Sequence, residues 1–157
     1  MARCYLGLGS NLRTPRRQLT QAIASLRKLP RTNIVGLSSV YSSKPLGVRT
    51  QPPYCNTVIA IHTLLPARTL LHHCQSIEKK QQRTRKRHWG ARTLDIDILL
   101  YGDKIIHTHD LNVPHPYMLT RDFVLIPLLE ISPDARLPNG QLIRHHLTSC
   151  KKHVYLS

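Results

Sequence analysis

The chain has 157 residues, 41% of them hydrophobic, a length that suits one domain with a real core. Lysine and arginine number 23 against eight acids, and the formal charge of +15 points to an anionic partner such as nucleic acid, a nucleotide or an acidic surface. No apolar run approaches the ~20 residues that span a bilayer, no secretory leader opens the sequence, and four scattered cysteines without a C-x-x-C read as reduced thiols of a cytosolic protein.

In chain order, residues 3–9 (RCYLGLG) read as a first strand and Ser10-Asn11 as a turn. Pro15 opens a helix running to Lys28, with Leu19, Ile23 and Leu26 at helical spacing. Residues 33–41 (NIVGLSSVY) predict a second strand. Segment 42–54, with Pro45, Gly47, Pro52 and Pro53, is a loop of the length that often carries function. Residues 55–63 (CNTVIAIHT) predict a third strand. Pro66 starts a second helix with Leu70, Leu71, Cys74 and Ile77 on one face, and the apolar period is lost after Glu78. A basic loop follows at 83–92 (RTRKRHWGAR), then a strand that Gly102 stops. Residues 111–117 (LNVPHPY) make a proline-rich turn, 121–131 (RDFVLIPLLEI) a short helix, and the tail from His145 a last short helix. No repeat divides the chain, so 1–157 reads as a single domain. The order β-α-β-β-α-β predicts an α+β fold with a ferredoxin-like βαββαβ core. Its antiparallel sheet is expected to carry helices on one face and to leave the other free for a site.

The last predicted strand, LDIDI, alternates apolar and acidic residues, so Asp95 and Asp97 share one face. Their Cα atoms should lie roughly 6.5–7 Å apart. Two carboxylates that close repel each other, and a divalent cation removes the repulsion. Mg²⁺ takes oxygen ligands, usually one or two carboxylates completed by waters and phosphate oxygens. The alternative is an edge strand whose acids merely face water.

Just before these acids, Arg83, Arg85, Lys86, Arg87 and Arg92 stand without an intervening acid. Arginine forks match phosphate oxygens, and carboxylates for metal beside arginines for phosphate suit phosphoryl transfer. The alternative is a solvated basic loop. Trp89, the only tryptophan, stands in that loop next to Gly90, as a lid residue would. Tyr54 and Asn56 would share a strand face, where a ring and an amide can hold a flat heterocycle. Asn is also a common turn residue. Phe123, the only phenylalanine, reads by itself as core. His115 reads by itself as structural.

The blocks YLGLGSN, PLG…QPPYCN, HWGARTLDIDILLYG, VPHP and RDFVLIPLLEI, in this order and spacing, resemble 6-hydroxymethyl-7,8-dihydropterin pyrophosphokinases of folate biosynthesis. The resemblance runs from about residue 4 to 145. It implies transfer of pyrophosphate from ATP to the hydroxymethyl group of 6-hydroxymethyl-7,8-dihydropterin, with release of AMP. It further implies that Asp95 and Asp97 hold two Mg²⁺ ions. Ser43, Leu46, Tyr54, Asn56 and Phe123 would form the pterin pocket, with the ring between Tyr54 and Phe123. Gln75, Glu78, Arg85, Trp89, Ile98, His115 and Arg121 would contact ATP, and Arg83 and Arg92 would act on the phosphates during transfer. Loops 43–53 and 83–92 would close over the substrates and exclude water. The chain departs from the family pattern at Ser43, Lys44, His88 and Ala91.

The charge motivates a second reading, a ferredoxin-like RNA-binding module. Such modules stack bases on sheet aromatics. This chain has one Phe, and its candidate face carries two aspartates that would repel phosphate without metal. The residues therefore favour the enzyme, with ATP and the pterin as partners, no membrane, and no nucleic acid.

Overall fold

The computed structural model describes residues 1–11, 14–43, 54–83, 94–150 and 154–156. The elements run β1 (Ala2–Ser10), α1 (Pro15–Arg27), β2 (Thr32–Leu37), β3 (Tyr41–Ser43), β4 (Tyr54–Thr63), α2 (Ala67–Arg83) and β5 (Asp95–Tyr101). A small hairpin of β6 (Ile106–His107) and β7 (Asn112–Val113) follows, then α3 (Asp122–Ile131) and β8 (Val154–Leu156). Two 3₁₀ helices, Met118–Thr120 and Ile143–Ser149, flank α3. Among the described residues, six strands form one sheet in the order β5-β1-β4-β3-β8, with β2 also against β4. Every ladder is antiparallel. The central order is that of the ferredoxin-like plan, with β2 and β3 lying end to end where one strand was expected.

That break has a local cause. Leu37 pairs with Ile59 and Tyr41 with Asn56, so three residues, 38–40, face only two, 57–58. Ser38 fills the interruption. Its N–H donates to Val58 O (3.0 Å), its Oγ accepts from Val58 N (2.9 Å), and Oγ also meets Thr57 Oγ1 (2.9 Å). An extra residue in a strand shifts all following side chains to the other face. A first shift, between Ile34 and Gly36, has already reversed β2 once, and this second one returns Tyr41 and Ser43 to the face that carries Asn56 and Tyr54.

The face toward α1 and α2 is built by period-two patterning. Cys4, Leu6 and Leu8 of β1, Ile59 and Ile61 of β4, and Ile96 and Ile98 of β5 pack on Leu19, Ala22, Leu26, Leu70, Cys74 and Ile77. Burying a leucine of this kind contributes about 1.5–3 kcal/mol. Pro15 starts α1 at a position where its missing N–H costs nothing. Gln81 ties the two helices by donating to Gln18 O (3.1 Å) and Oε1 (3.0 Å).

The opposite face is not free, contrary to the expectation of helices on one face only. Tyr5, Val58, Ala60, Leu99 and Leu100 are covered by Val124, Leu125 and Leu128 of α3, with Met118 and Ile143. The segment 121–131 is apolar enough to need such a partner surface. Among the described residues, that cover does not include the end of the face where β1 finishes and β4 and β5 begin. The tail also differs from expectation: after the 3₁₀ helix it returns as strand β8 along β3. Among the described residues no helix is long and apolar enough to cross a membrane, and all four cysteines are free.

Candidate active site

One row of cross-strand partners crosses this end of the sheet: Asp95 on β5, Gly9 on β1, Asn56 on β4 and Tyr41 on β3. The next row holds Asp97, Gly7 and Val58, and beyond Asn56 Tyr54 pairs with Ser43. Residues opposite one another share a face, so the aspartates, Asn56, Tyr54 and Ser43 look the same way. Adjacent strands are about 4.8 Å apart, which puts the Asp95 and Asn56 backbones on the order of 10 Å from each other across Gly9. Gly9 is required by close approach: a Cβ there would stand 2.9 Å from Asn56 Oδ1.

Asn56 is 8% exposed, and its Nδ2 is buried with no hydrogen-bond partner among the described residues. Leaving a buried amide donor unpaired costs about 1–3 kcal/mol, a cost that a bound acceptor would remove. Asn11 Oδ1, just past the end of β1, is a second buried atom without a partner among the described residues. Ser43 is buried, and Tyr54 and Phe123 are half-buried. Phe123 packs at the edge of the α3 cluster and so serves partly as core.

On the metal side, Asp95 and Asp97 are both half-buried. Among the described residues no group of three or more His, Cys, Asp or Glu gathers. An all-oxygen pair with no further ligand among the described residues suits a hard cation that completes its shell with water and phosphate, and does not suit zinc. His115 Nε2 lies 3.9 Å from Asp97 Oδ2. The Tyr117 N–H donates to His115 Nδ1 (3.2 Å), which leaves the ring proton on Nε2, facing the carboxylate. Burial pushes the His115 pKa down, and Arg121 pushes the same way against the opposing pull of Asp97, so the ring is neutral at pH 7. The Arg121 guanidinium lies 5.1 Å from the Tyr117 ring and 5.6 Å from that of Phe123, within cation–π range of both.

Glu78 reaches from α2 to the start of β5, where its Oε2 accepts from Ile96 N at 3.1 Å. It therefore holds the backbone between the two aspartates, a role that the sequence reading did not foresee. Gln75 is exposed on α2. The Ile98 side chain is buried on the α1/α2 side, away from the aspartates, so this position can meet a nucleotide only through its backbone. Leu46, Arg85, Trp89 and Arg92 lie outside the described residues, as do the rest of 44–53 and 84–93 and the side chain of Arg83, while Ser43 ends β3 and Arg83 ends α2 rather than opening the loops. Sequence reasoning missed Gly9, Asn11 and Glu78's backbone contact. The glycines at 7 and 9, two apart inside a strand, were the available signal, because glycine in a strand marks close approach.

The family model for 7,8-dihydro-6-hydroxymethylpterin-pyrophosphokinase (HPPK) matches residues 5–133. The chain belongs to this family. Haemophilus influenzae 2-amino-4-hydroxy-6-hydroxymethyldihydropteridine pyrophosphokinase is 50% identical over 143 residues, covering 91% of this chain and 89% of that one. The Pseudomonas aeruginosa protein of the same name is 45% identical over 148 residues, covering 94% and 91%. The chain is thus a pyrophosphokinase-family enzyme, and these relatives lend no support to the RNA-binding alternative. Among solved structures, Plasmodium falciparum HPPK-DHPS with pteroate superposes with a TM-score of 0.73 at 14% identity, which supports the ferredoxin-like fold. The superposition covers 94% of this chain and 42% of that longer one.

Proposed function

We propose that the protein transfers pyrophosphate from ATP to the hydroxymethyl group of 6-hydroxymethyl-7,8-dihydropterin in folate biosynthesis, with AMP as the second product. The observation that carries the reading is the row Asp95–Gly9–Asn56. It puts a carboxylate pair and a buried amide with no partner among the described residues on one face, with a glycine between them. Asn56 Nδ2 donates to a ring acceptor of the pterin, whose faces rest on Tyr54 and Phe123, and Ser43 and Leu46 close the pocket. At the other end His115, neutral, donates from Nε2 to a phosphate oxygen. Arg121, with Gln75, Glu78, Arg85, Trp89 and the Ile98 backbone, holds the rest of ATP.

Asp95 and Asp97 are the residues that would hold Mg²⁺, two ions by resemblance. Bound there, Mg²⁺ supplies charge neutralisation at the phosphates and acidifies the attacking hydroxyl. The residues of the chain then orient the hydroxyl in line with the β-phosphorus and exclude water that would compete with it. Arg83 and Arg92 stabilise the charge that grows on the transferring group.

Incubating the protein with ATP, Mg²⁺ and the pterin tests the reading. AMP should appear in step with the pterin diphosphate, and only with metal present. ADP as the product, or AMP released without the pterin, would refute it.

A further inference from the structure

We propose that Glu130, near the last turn of α3, is a positioning residue for the pterin end of the site and acts by bracing the bulge between β2 and β3. The inference rests on the pterin reading above. One Glu130 carboxylate takes three hydrogen bonds from this bulge. Oε2 accepts from Ser39 N (2.8 Å) and Ser39 Oγ (3.1 Å), and Oε1 accepts from the Tyr41 hydroxyl. Tyr41 is buried and stands directly opposite Asn56, and Ser43, two residues on, stands opposite Tyr54.

The bulge decides which face β3 presents. Without its extra residue Ser42 would replace Tyr41 and Ser43 on the α3 side. In the structure Ser42 pairs with Cys55 and its Oγ lies 3.8 Å from the Cys55 sulfur, on the helix side. Ser38 secures the bulge to β4, and Glu130 secures it to α3. The same helix carries Phe123 at its start and Glu130 toward its end. One rigid element therefore sets both the ring wall of the pocket and the register of the strand opposite Asn56. Among the described residues Glu130 bonds to Ser39 and Tyr41 and to neither aspartate, so its influence should be confined to the pterin.

The test uses the full chain and four variants: Glu130→Ala, Glu130→Gln, Tyr41→Phe and the Glu130→Ala/Tyr41→Phe pair. For each, KM for the pterin, KM for ATP, kcat and melting temperature are measured, together with pterin binding by fluorescence titration without turnover. Glu130→Ala should raise KM and Kd for the pterin by roughly tenfold, as a displaced positioning shell does, and leave KM for ATP within about twofold. Glu130→Gln, which can still accept from Ser39 and bond the phenol, should recover most of the loss. The double variant should be no worse than Glu130→Ala, because both changes break one brace. Unchanged pterin affinity in Glu130→Ala would overturn the proposal. So would equal losses for ATP and pterin that track the fall in melting temperature, the mark of a purely structural role. If Glu130→Ala fails to fold, Tyr41→Phe carries the test, since it deletes a single oxygen. A wild-type chain that binds no pterin would fail the functional reading itself, and the brace with it.

Discussion

Gly9→Ala tests the central row of the site. Gly9 lies in a regular strand and its backbone does not itself require glycine. The constraint is the neighbour: the new Cβ would meet Asn56 Oδ1 at 2.9 Å, against at least 3.4 Å for ordinary contact. The Asn56 amide must therefore give way by roughly 0.5 Å, or the strands must part. Two effects oppose each other. Alanine removes freedom from the unfolded chain, a gain of about 0.4–1 kcal/mol. Overpacking a buried contact costs about 1–3 kcal/mol. Asn56 is 8% exposed and has Tyr41 on its other side, so overpacking should win by about 1 kcal/mol. For a domain of this length that is a fall of about 2–4 °C in Tm. The functional effect should be larger than the stability effect. A 1 Å misplacement can cost about 10²-fold, so a shift of half that should raise pterin KM by roughly tenfold. ATP KM should hold, because the displaced amide is on the far side of Gly9 from the aspartates. Thermal melting and two-substrate kinetics read both quantities. A Gly9→Ala protein with unchanged Tm and unchanged pterin KM would refute the claim that Gly9 exists to seat Asn56. A rise in ATP KM equal to that for the pterin would refute the division of the row into two ends.

Asp97→Asn should abolish AMP formation while leaving Tm without Mg²⁺ within about 1 °C, since its side chain is 48% exposed and its facing His115 is neutral; near-normal turnover would sink the metal assignment. Arg92→Ala should lower kcat by about 10²–10³ with little change in ATP KM, because its assigned partner is charge that grows in the transition state; a raised KM with unchanged kcat would contradict that role. Glu130 has its pKa below the ordinary glutamate value, because its bonds from Tyr41 and Ser39 outweigh the upward push of burial. Its stabilisation should thus be present at neutral pH and drain away as pH falls below the unfolded value of about 4.3. Melting curves of wild type and Glu130→Gln from pH 7 to pH 3 should converge at the acid end, and a gap that stays constant would show that the ionised carboxylate is not what matters.

Local patterning alone was enough for much of this molecule. Period-two alternation in LDIDI put both aspartates on one face, and helical spacing of Leu70, Cys74 and Ile77 placed α2 on the sheet, because each depends only on residues close in sequence. The strand order, and hence the fold class, followed from the sequence of elements. The tertiary structure decided what depends on residues far apart. No local signal says that Gly9 must be small for Asn56, 47 positions away, since the reason is a contact across a ladder. No local signal says that α3 covers the second face of the sheet, or that Glu130 reaches back to Ser39 and Tyr41. The same limit hid the break between β2 and β3. The run NIVGLSSVY is continuous strand by composition, and only its pairing with β4 shows two extra residues, one between Ile34 and Gly36 and one within 38–40. The second insertion turns Tyr41 and Ser43 back toward the site after the first has reversed the strand, because side chains in a strand alternate and each insertion reverses all that follow.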